Sequence, residues 1–343
     1  MKNNIYIVTG AAGHLGGAVT KLLEEQKKTV YALCLPNEKH LPVGEHVKIF
    51  YGDICDKDSL QPLFSCCKEN SVTVIHCAGI VSIASKFNKN VYDVNVTGTK
   101  NIVAACEENN VEKLVYVSSV HAIPELKDDE TITEINSFSA DTVVGLYAKT
   151  KAEATQSVLD YAKRGGNVSV IHPSGIVGPG DYGKGHLTQL IIDYYEGRLT
   201  SAINGGYDFV DVRDVATGIL SCCEHGKNGE CYILSGHYSK VPDLLRTLHE
   251  ITGKREIRRV LPLWFVKLVV PLAELYYKVL KQPPLFTSYS IYTLNTNANF
   301  SHEKATKELD YTSRPMKQTL TDTFMWLKEN NRFKKYTKKM SHA

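Results

Sequence analysis

Six short runs of β-branched, aromatic and aliphatic residues punctuate the first half of the chain: IYIV (5–8), TVYALC (29–34), VKIF (47–50), VTVIHC (72–77), KLVYVS (113–118) and NVSVIH (167–172). Helix-like stretches separate most of them, at 15–26, 57–69, 89–109 and 146–163. Strands that alternate with helices form βαβ units and a parallel sheet, and right-handed crossovers wind it into a doubly wound α/β (Rossmann) fold. After Pro173 the pattern changes. PSGIVGPGDYGKG reads as a loop, 186–197 as a helix, and DFVDV (208–212) as a return strand with a helix following from Asp214. Residues 240–330 read as mostly helical, broken at Pro283-Pro284. The expected organisation is a nucleotide-binding core over 1–175 with 205–235 returning to it. A substrate lobe follows from 176–204 and 236–330, and a basic tail from 331–343.

Composition narrows this picture. Of 343 residues, 43% are hydrophobic and 22% charged, which excludes wholesale disorder. Forty basic against 37 acidic residues give a net charge of +3, so no nucleic-acid partner is expected. The excess sits in the tail, which reads as a solvated helix end. Nine cysteines, an odd number without CxxC or Cys/His metal spacing, point to a reduced, cytoplasmic protein with no metal site. The chain runs straight into a strand at Ile5, so no signal peptide is expected. The greasy stretch 260–280 is interrupted by Lys267, Glu274, Lys278, Pro262 and Pro271. Each central charge costs roughly 2.5–3.5 kcal/mol to insert, which argues against a transmembrane helix. Peripheral membrane contact and a homodimer stay open as arrangements.

The loop after the first strand carries the first chemistry. VTGAAGHLGGAV spaces its glycines as Gly10-x-x-Gly13-x-x-Gly16, a wider variant of GxGxxG. Glycines permit a tight turn and close backbone approach, and the helix beginning at His14 and Leu15 offers free N–H groups to a pyrophosphate. The second strand ends Cys34-Leu35-Pro36-Asn37, with neither the acidic reader of an NAD ribose nor the Arg that pairs with the 2′-phosphate of NADP. The cofactor expectation is therefore NAD or NADP, leaning to NADP because no carboxylate repels the phosphate. Lys39 and His40 lie just beyond. Asp53, followed by Ile54, can accept from the adenine amino group or cap a helix. Ala78 and Gly79 leave room for backbone beside the cofactor.

Tyr147-x-x-x-Lys151 sets two side chains on one helix face. The spacing recurs at Tyr277/Lys281, but only the first pair lies beside the expected cofactor sheet. A free Tyr titrates near 10, so a neighbouring ammonium and a positive nicotinamide are needed to stabilise its anion. Ser118 and Ser119 end the fifth strand, where ligands of such sheets bind, and either can donate to a substrate carbonyl.

With these residues together, the chain resembles the extended short-chain dehydrogenase/reductase family, within the NAD-dependent epimerase/dehydratase superfamily. TGAAGHLG, GDICD, HCAG, VNVTGTKN (94–101), YVSS, YAKTK, HPSGIVGPG (172–180) and FVDVRDVA (209–216) fall in the family's order. The resemblance implies Ser119, Tyr147 and Lys151 as catalytic, Asn95 as a structural or proton-relay residue, and Pro173 and Ser174 as nicotinamide contacts. The SSxxVYG run of sugar-nucleotide epimerases is missing, and Ser174 and Val177 replace the Asn and Tyr of their PxNVYGPG loop. The pattern is more similar to the dihydroflavonol-reductase and 3β-hydroxysteroid-dehydrogenase branch. That implies hydride transfer between NAD(P) and an apolar ketone or secondary alcohol, in a pocket closed by Leu261, Trp264, Phe265, Leu272, Tyr276 and Phe286. The alternatives are a nucleotide-sugar epimerase or dehydratase, with Arg255, Arg258 and Arg259 clamping a diphosphate, and a non-catalytic cofactor sensor.

Overall fold

A computed structural model describes residues 4–82, 87–128, 130–183, 185–262, 264–266 and 288–333. Its main sheet has seven strands: β1 (Asn4–Thr9), β2 (Thr29–Cys34), β3 (Val47–Tyr51), β4 (Ser71–His76), β5 (Lys113–Val117), β6 (Val168–Pro173) and β10 (Glu230–Leu234). Their order is β10-β6-β5-β4-β1-β2-β3, with every neighbouring pair parallel. Every residue of β5 and β6 is buried, as expected of a parallel sheet covered on both faces. One core packs Ile7, Val74, Tyr116, Ile102 and Val158 beneath helices α4 (Thr99–Glu108) and α5 (Leu146–Lys163). The opposite core packs Val8, Val30, Ile75, Val19 and Ile219 beneath α1 (His14–Glu25) and α7 (Val212–His225). The strand order reverses between β1 and β4, which opens a crevice at their carboxyl ends.

Three expected elements differ. The helix expected over 57–69 is a 3-10 turn (Asp58–Leu60), the short α2 (Gln61–Phe64) and a second 3-10 turn (Ser65–Lys68). Pro62 suits a helix start but removes a backbone donor, and Ser65, Cys66 and Cys67 are weak helix formers. The stretch 89–109 is α3 (Lys89–Tyr92), a π-helical segment (Asp93–Gly98) and α4. The third is β9 (Gly206–Asp211). It does not join the main sheet but pairs with β7 (Gly175–Val177) and β11 (His237–Lys240) in a three-stranded sheet of its own. It is α7 and β10 that return the chain to the core. A two-stranded pair, β8 (Ala202–Ile203) with β12 (Val260–Leu261), completes the strands.

A third cluster joins α6 (His186–Tyr195), α8 (Val241–Thr252) and the helix Met316–Glu329 through Leu187, Ile191, Leu244, Leu248, Leu320 and Leu327. Pro283-Pro284, Lys267, Pro271, Glu274, Lys278, Leu272, Tyr276, Phe286, the Tyr277/Lys281 pair and most of the basic tail lie outside the described residues. Among the described residues no helix is long and apolar enough to cross a membrane, and no cluster of side chains could hold a metal ion. All nine cysteines carry free thiols.

An ion cluster pins the C-terminal segment to the core at the start of α7. Arg314 Nη2 and Nε meet Asp214 Oδ1 at 2.6 and 2.8 Å, and Arg213 Nη2 bridges Asp211 Oδ2 and Asp322 Oδ2 at 2.7 Å each. Burial pushes the Asp211 carboxyl up, but Arg213 and Arg314 outweigh it and hold the group below its ordinary value. Its contribution to stability is therefore present above about pH 4 and lost as pH falls through the folded-state value. Asp211→Asn removes a buried carboxylate but leaves Arg213 paired with Asp322, and should cost about 1–3 kcal/mol. Differential scanning calorimetry from pH 7 to pH 3 checks this. The variant should melt several degrees lower at pH 7, and the gap should close toward pH 3.

Candidate active site

The phosphate loop folds as its glycines require. Gly10 has φ +66°, and a Cβ there would stand 2.8 Å from Ala78 Cα, so the turns after β1 and β4 touch. A Cβ at Gly16 would overlap the Gly10 carbonyl. Gly13 precedes α1 with no side-chain cap, which leaves the first-turn amides of His14, Leu15 and Gly16 without intrahelical acceptors. The His14 ring turns aside to Pro179 O (3.2 Å), and Leu15 packs against the core.

Gly79 packs close against two polar side chains: a Cβ built there would lie 3.3 Å from Asn95 Oδ1 and 3.4 Å from Lys151 Nζ, so only glycine fits beside them without a shift. Asn95 is buried in the π-helical segment. Its Oδ1 accepts from Ile80 N (2.8 Å), and its Nδ2 donates to Ile80 O (3.0 Å) and Thr150 Oγ1 (3.1 Å). π-Helical turns often mark functional sites, and this one aims Asn95 at the strand ends. Asp53 Oδ1 accepts from Cys55 N (2.8 Å) and Asp56 Oδ1 from Asp58 N (3.1 Å), so both side chains cap turns. Ile54 is buried and its carbonyl accepts from Asn101 Nδ2 (2.8 Å).

At the end of β2 the structure adds a group that the reading of the strand alone omits. Glu38 folds back so that its Oε2 accepts from Leu35 N at 2.9 Å. A carboxylate therefore stands at the strand end; burial pushes the Cys34 thiol up to about 11, and the Glu38 charge adds to it. Lys39 is exposed, and the His40 ring stacks on Tyr182 at 3.8 Å.

Catalytic candidates converge at the ends of β5 and α5. Ser118 Oγ is engaged with Thr155 Oγ1 at 2.6 Å, inside the α5 packing. Ser119 instead caps the next turn, with Oγ accepting from His121 N (3.2 Å), and its hydroxyl stands near enough to the Tyr147 phenol to counter part of the rise that burial causes there. The Ser119 carbonyl accepts from His172 Nδ1 (2.9 Å), which fixes the turn. Gly145, at φ +96°, starts α5 and sets Tyr147 facing the strand ends. Lys151, one turn on, is buried with Tyr147, and its Nζ donates to Val117 O (2.8 Å) and Tyr116 Oη (3.4 Å). Burial pushes the Tyr147 phenol up to about 12, with Ser119 pulling the other way. Burial also lowers the Lys151 ammonium to about 8. Pro173 ends β6, and Ser174 lies beside Asp208, whose carboxyl burial raises to about 6.

Two neighbours escaped the sequence reading. Tyr207 of β9 bonds His121 Nε2 (3.0 Å) and stacks on its ring, and His121 meets the Tyr147 ring edge-on at 5.9 Å. Burial keeps His121 neutral, lowering it to about 4. A His two places after Ser119 was visible in SSVHA, but nothing in the chain pairs position 121 with 207. The arginines proposed as a diphosphate clamp, Arg255, Arg258 and Arg259, are exposed, and Arg258 pairs with Glu256 (2.6 Å). Trp264 and Phe265 are exposed, not lobe core, while Leu261 packs with Ile203, Val266 and Ile291.

The NAD dependent epimerase/dehydratase family matches residues 6–235, which include the glycine loop, the Ser119–Tyr147–Lys151 set and both turns of the crevice. The chain belongs to that family. It is an NAD(P)-binding oxidoreductase of the extended short-chain dehydrogenase/reductase type. The enzyme is 28% identical to sterol demethylase protein B of Methylococcus capsulatus, over 94% of this chain and 98% of that protein. It is 28% identical to 3 beta-hydroxysteroid dehydrogenase type 7 of Mus musculus, over 94% and 95%. Among solved structures, gox2253 superposes with a TM-score of 0.83 at 30% identity, covering 97% of this chain and all of that one. The dTDP-glucose 4,6-dehydratase of Bacillus anthracis, solved with NAD, shares the fold at a TM-score of 0.76 and 18% identity.

Proposed function

We propose that the enzyme moves a hydride between NAD and a ketone or secondary alcohol on an apolar, ring-sized molecule of sterol-like chemistry. The observation that carries this reading is the neutral aromatic flank of the hydroxyls: Ser119 and Tyr147, both buried, stand beside neutral His121 and Tyr207, and the three candidate clamp arginines are exposed. Such a wall suits an apolar ligand held by a few fixed polar groups. The names of the sterol and hydroxysteroid relatives support the same class.

In reduction, Ser119 Oγ–H polarises the substrate carbonyl and Tyr147 Oη–H delivers the proton to its oxygen. Tyr147 holds that proton because burial raises its affinity, and the ammonium of Lys151 limits the cost of the tyrosinate that is left. The bound dinucleotide supplies the hydride at its nicotinamide ring. The glycine loop and the open amides of α1 fit its pyrophosphate, and the Lys151 ammonium beside Gly79 suits a ribose hydroxyl. A cofactor-linked absorbance screen with NAD and NADP, against ring ketones, their alcohols and nucleotide sugars, tests the class. Turnover of a nucleotide sugar and of no apolar compound would overturn it.

The preference for NAD over NADP rests on Glu38. A 2′-phosphate beside its carboxylate is disfavoured by like charge. Glu38→Gln keeps an acceptor for Leu35 N and should raise NADP affinity about tenfold in a fluorescence titration, with NAD changing little. Equal NADP affinity in the variant and the parent would remove Glu38 from the role.

A further inference from the structure

We infer that His172 is a positioning residue for Ser119: its imidazole takes over where the hydrogen-bond ladder between β5 and β6 stops, and it holds by the carbonyl the turn that presents the Ser119 hydroxyl. This rests on the proposed role of Ser119 and adds a residue that acts through it.

Strands β5 and β6 pair in parallel, so the N–H and C=O groups of one strand reach residues on either side of the opposite one. Leu114 N donates to Asn167 O at 2.9 Å, and Ser118 N donates to Ile171 O at 2.7 Å. In that register the next rung would run from the N–H of residue 173 to Ser118 O. Residue 173 is Pro, which has no N–H, so the ladder ends just before Ser119. The side chain of His172 makes the next link instead, with Nδ1 bonded to Ser119 O at 2.9 Å. Ala122 N donates to the same carbonyl at 3.0 Å, from within the turn. Ser119 Oγ accepts from His121 N at 3.2 Å, so the hydroxyl proton is not spent on that bond.

Counting protons fixes the ring. A carbonyl only accepts, so Nδ1 of His172 carries the proton, and in the neutral ring Nε2 is a bare lone pair. Burial lowers His172 to about 4, the bond to Ser119 pulling the other way, so the ring is neutral at pH 7. The charged groups that bear on it, Lys151 and Lys304, also oppose a second proton. His172 is fully buried, and among the described residues its Nε2 has no hydrogen-bond partner. An apolar side chain would avoid the cost of that unpaired nitrogen. What an apolar side chain could not supply is the bond to Ser119 O. Phe138 stacks on the ring at 5.2 Å with the planes 10° apart, which restrains the direction of the donor.

The first test needs no substrate. In 15N-labelled full-length protein, with the His172 signals assigned by their loss in His172→Asn, the ring should be the neutral Nδ1–H tautomer at pH 7. A neutral ring protonated on Nε2 overturns the inference. The second test is reduction of a 3-ketosteroid by NADH, followed by cofactor absorbance. His172→Leu removes the donor and should lower kcat about ten- to a hundredfold, while NAD affinity by fluorescence titration is kept. His172→Asn puts an amide N–H where Nδ1 stood and should restore most of kcat. Thermal melts select variants that remain folded. An unchanged kcat in folded His172→Leu overturns the inference. A double-mutant cycle separates positioning from packing. In Ser119→Ala the hydroxyl to be positioned is gone, so adding His172→Leu should cost nothing further. An equal loss in both backgrounds overturns the inference and leaves Ser119 its role. A Ser119→Ala enzyme as fast as the parent overturns the proposed mechanism itself, so the two failures are distinct.

Discussion

Tyr147→Phe should lose turnover by on the order of a hundred- to ten-thousand-fold while cofactor binding is kept. The ring stays, so its edge contact with His121 and its place on α5 survive. What goes is the hydroxyl, the group proposed to hand its proton to the substrate oxygen. The loss should appear in kcat rather than in the cofactor dissociation constant, because the glycine loop and Lys151 are untouched. The pH profile sharpens the test. In reduction the enzyme needs Tyr147 protonated and Lys151 charged, and the lysine, lowered to about 8 by burial, gives up its proton first. On this mechanism kcat/KM for reduction, which reports the free enzyme's groups, should therefore fall as pH rises through that value. Stopped-flow kinetics and a fluorescence titration of cofactor check both halves. A kcat within a few-fold of the parent would take Tyr147 out of the reaction.

Much of this site was legible in the chain because it is built from short-range rules. A glycine loop between a strand and a helix, and a Tyr and Lys one turn apart, keep their geometry wherever the fold places them. The parallel order of the sheet followed from alternation, and 146–163 is helical over its full expected span. What the chain hid depends on distant partners. The strand end alone left Ser118 and Ser119 both open, and only the resemblance singled out Ser119; the structure gives the physical difference, because Thr155 engages Ser118. The strand over 206–211 carried the right pattern but no sign of which sheet it joins, since pairing with β7 and β11 rather than β10 is a tertiary choice. Glu38 reaches the end of β2 only because the chain doubles back over Pro36 and Asn37. The buried bond between Thr9 and His76 joins residues 67 positions apart and has no linear signature.

The glycine loop yields the second large effect, and two of its positions should fail in different ways. Gly13 has φ −79°, open to any side chain, and a Cβ there meets only the Gly10 carbonyl at 3.1 Å. Gly13→Val should fold, with the branched side chain standing over the open amides of α1. Phosphate oxygens bind at such amides, and the added methyls hold them off. Cofactor affinity should fall a hundredfold or more, roughly the loss of two charge-assisted hydrogen bonds, while the melting temperature shifts little. Gly16 is a different case. Its Cβ would overlap the Gly10 carbonyl, a backbone atom that cannot swing away. Gly10 itself is pressed against Ala78, so the strain passes into the β4 turn. Gly16→Val should therefore lower the melting temperature as well as the affinity. Calorimetry and a titration with NAD on both variants separate the two. If Gly13→Val bound cofactor as the parent does, the pyrophosphate would have to lie elsewhere, and the assignment of this loop would be wrong.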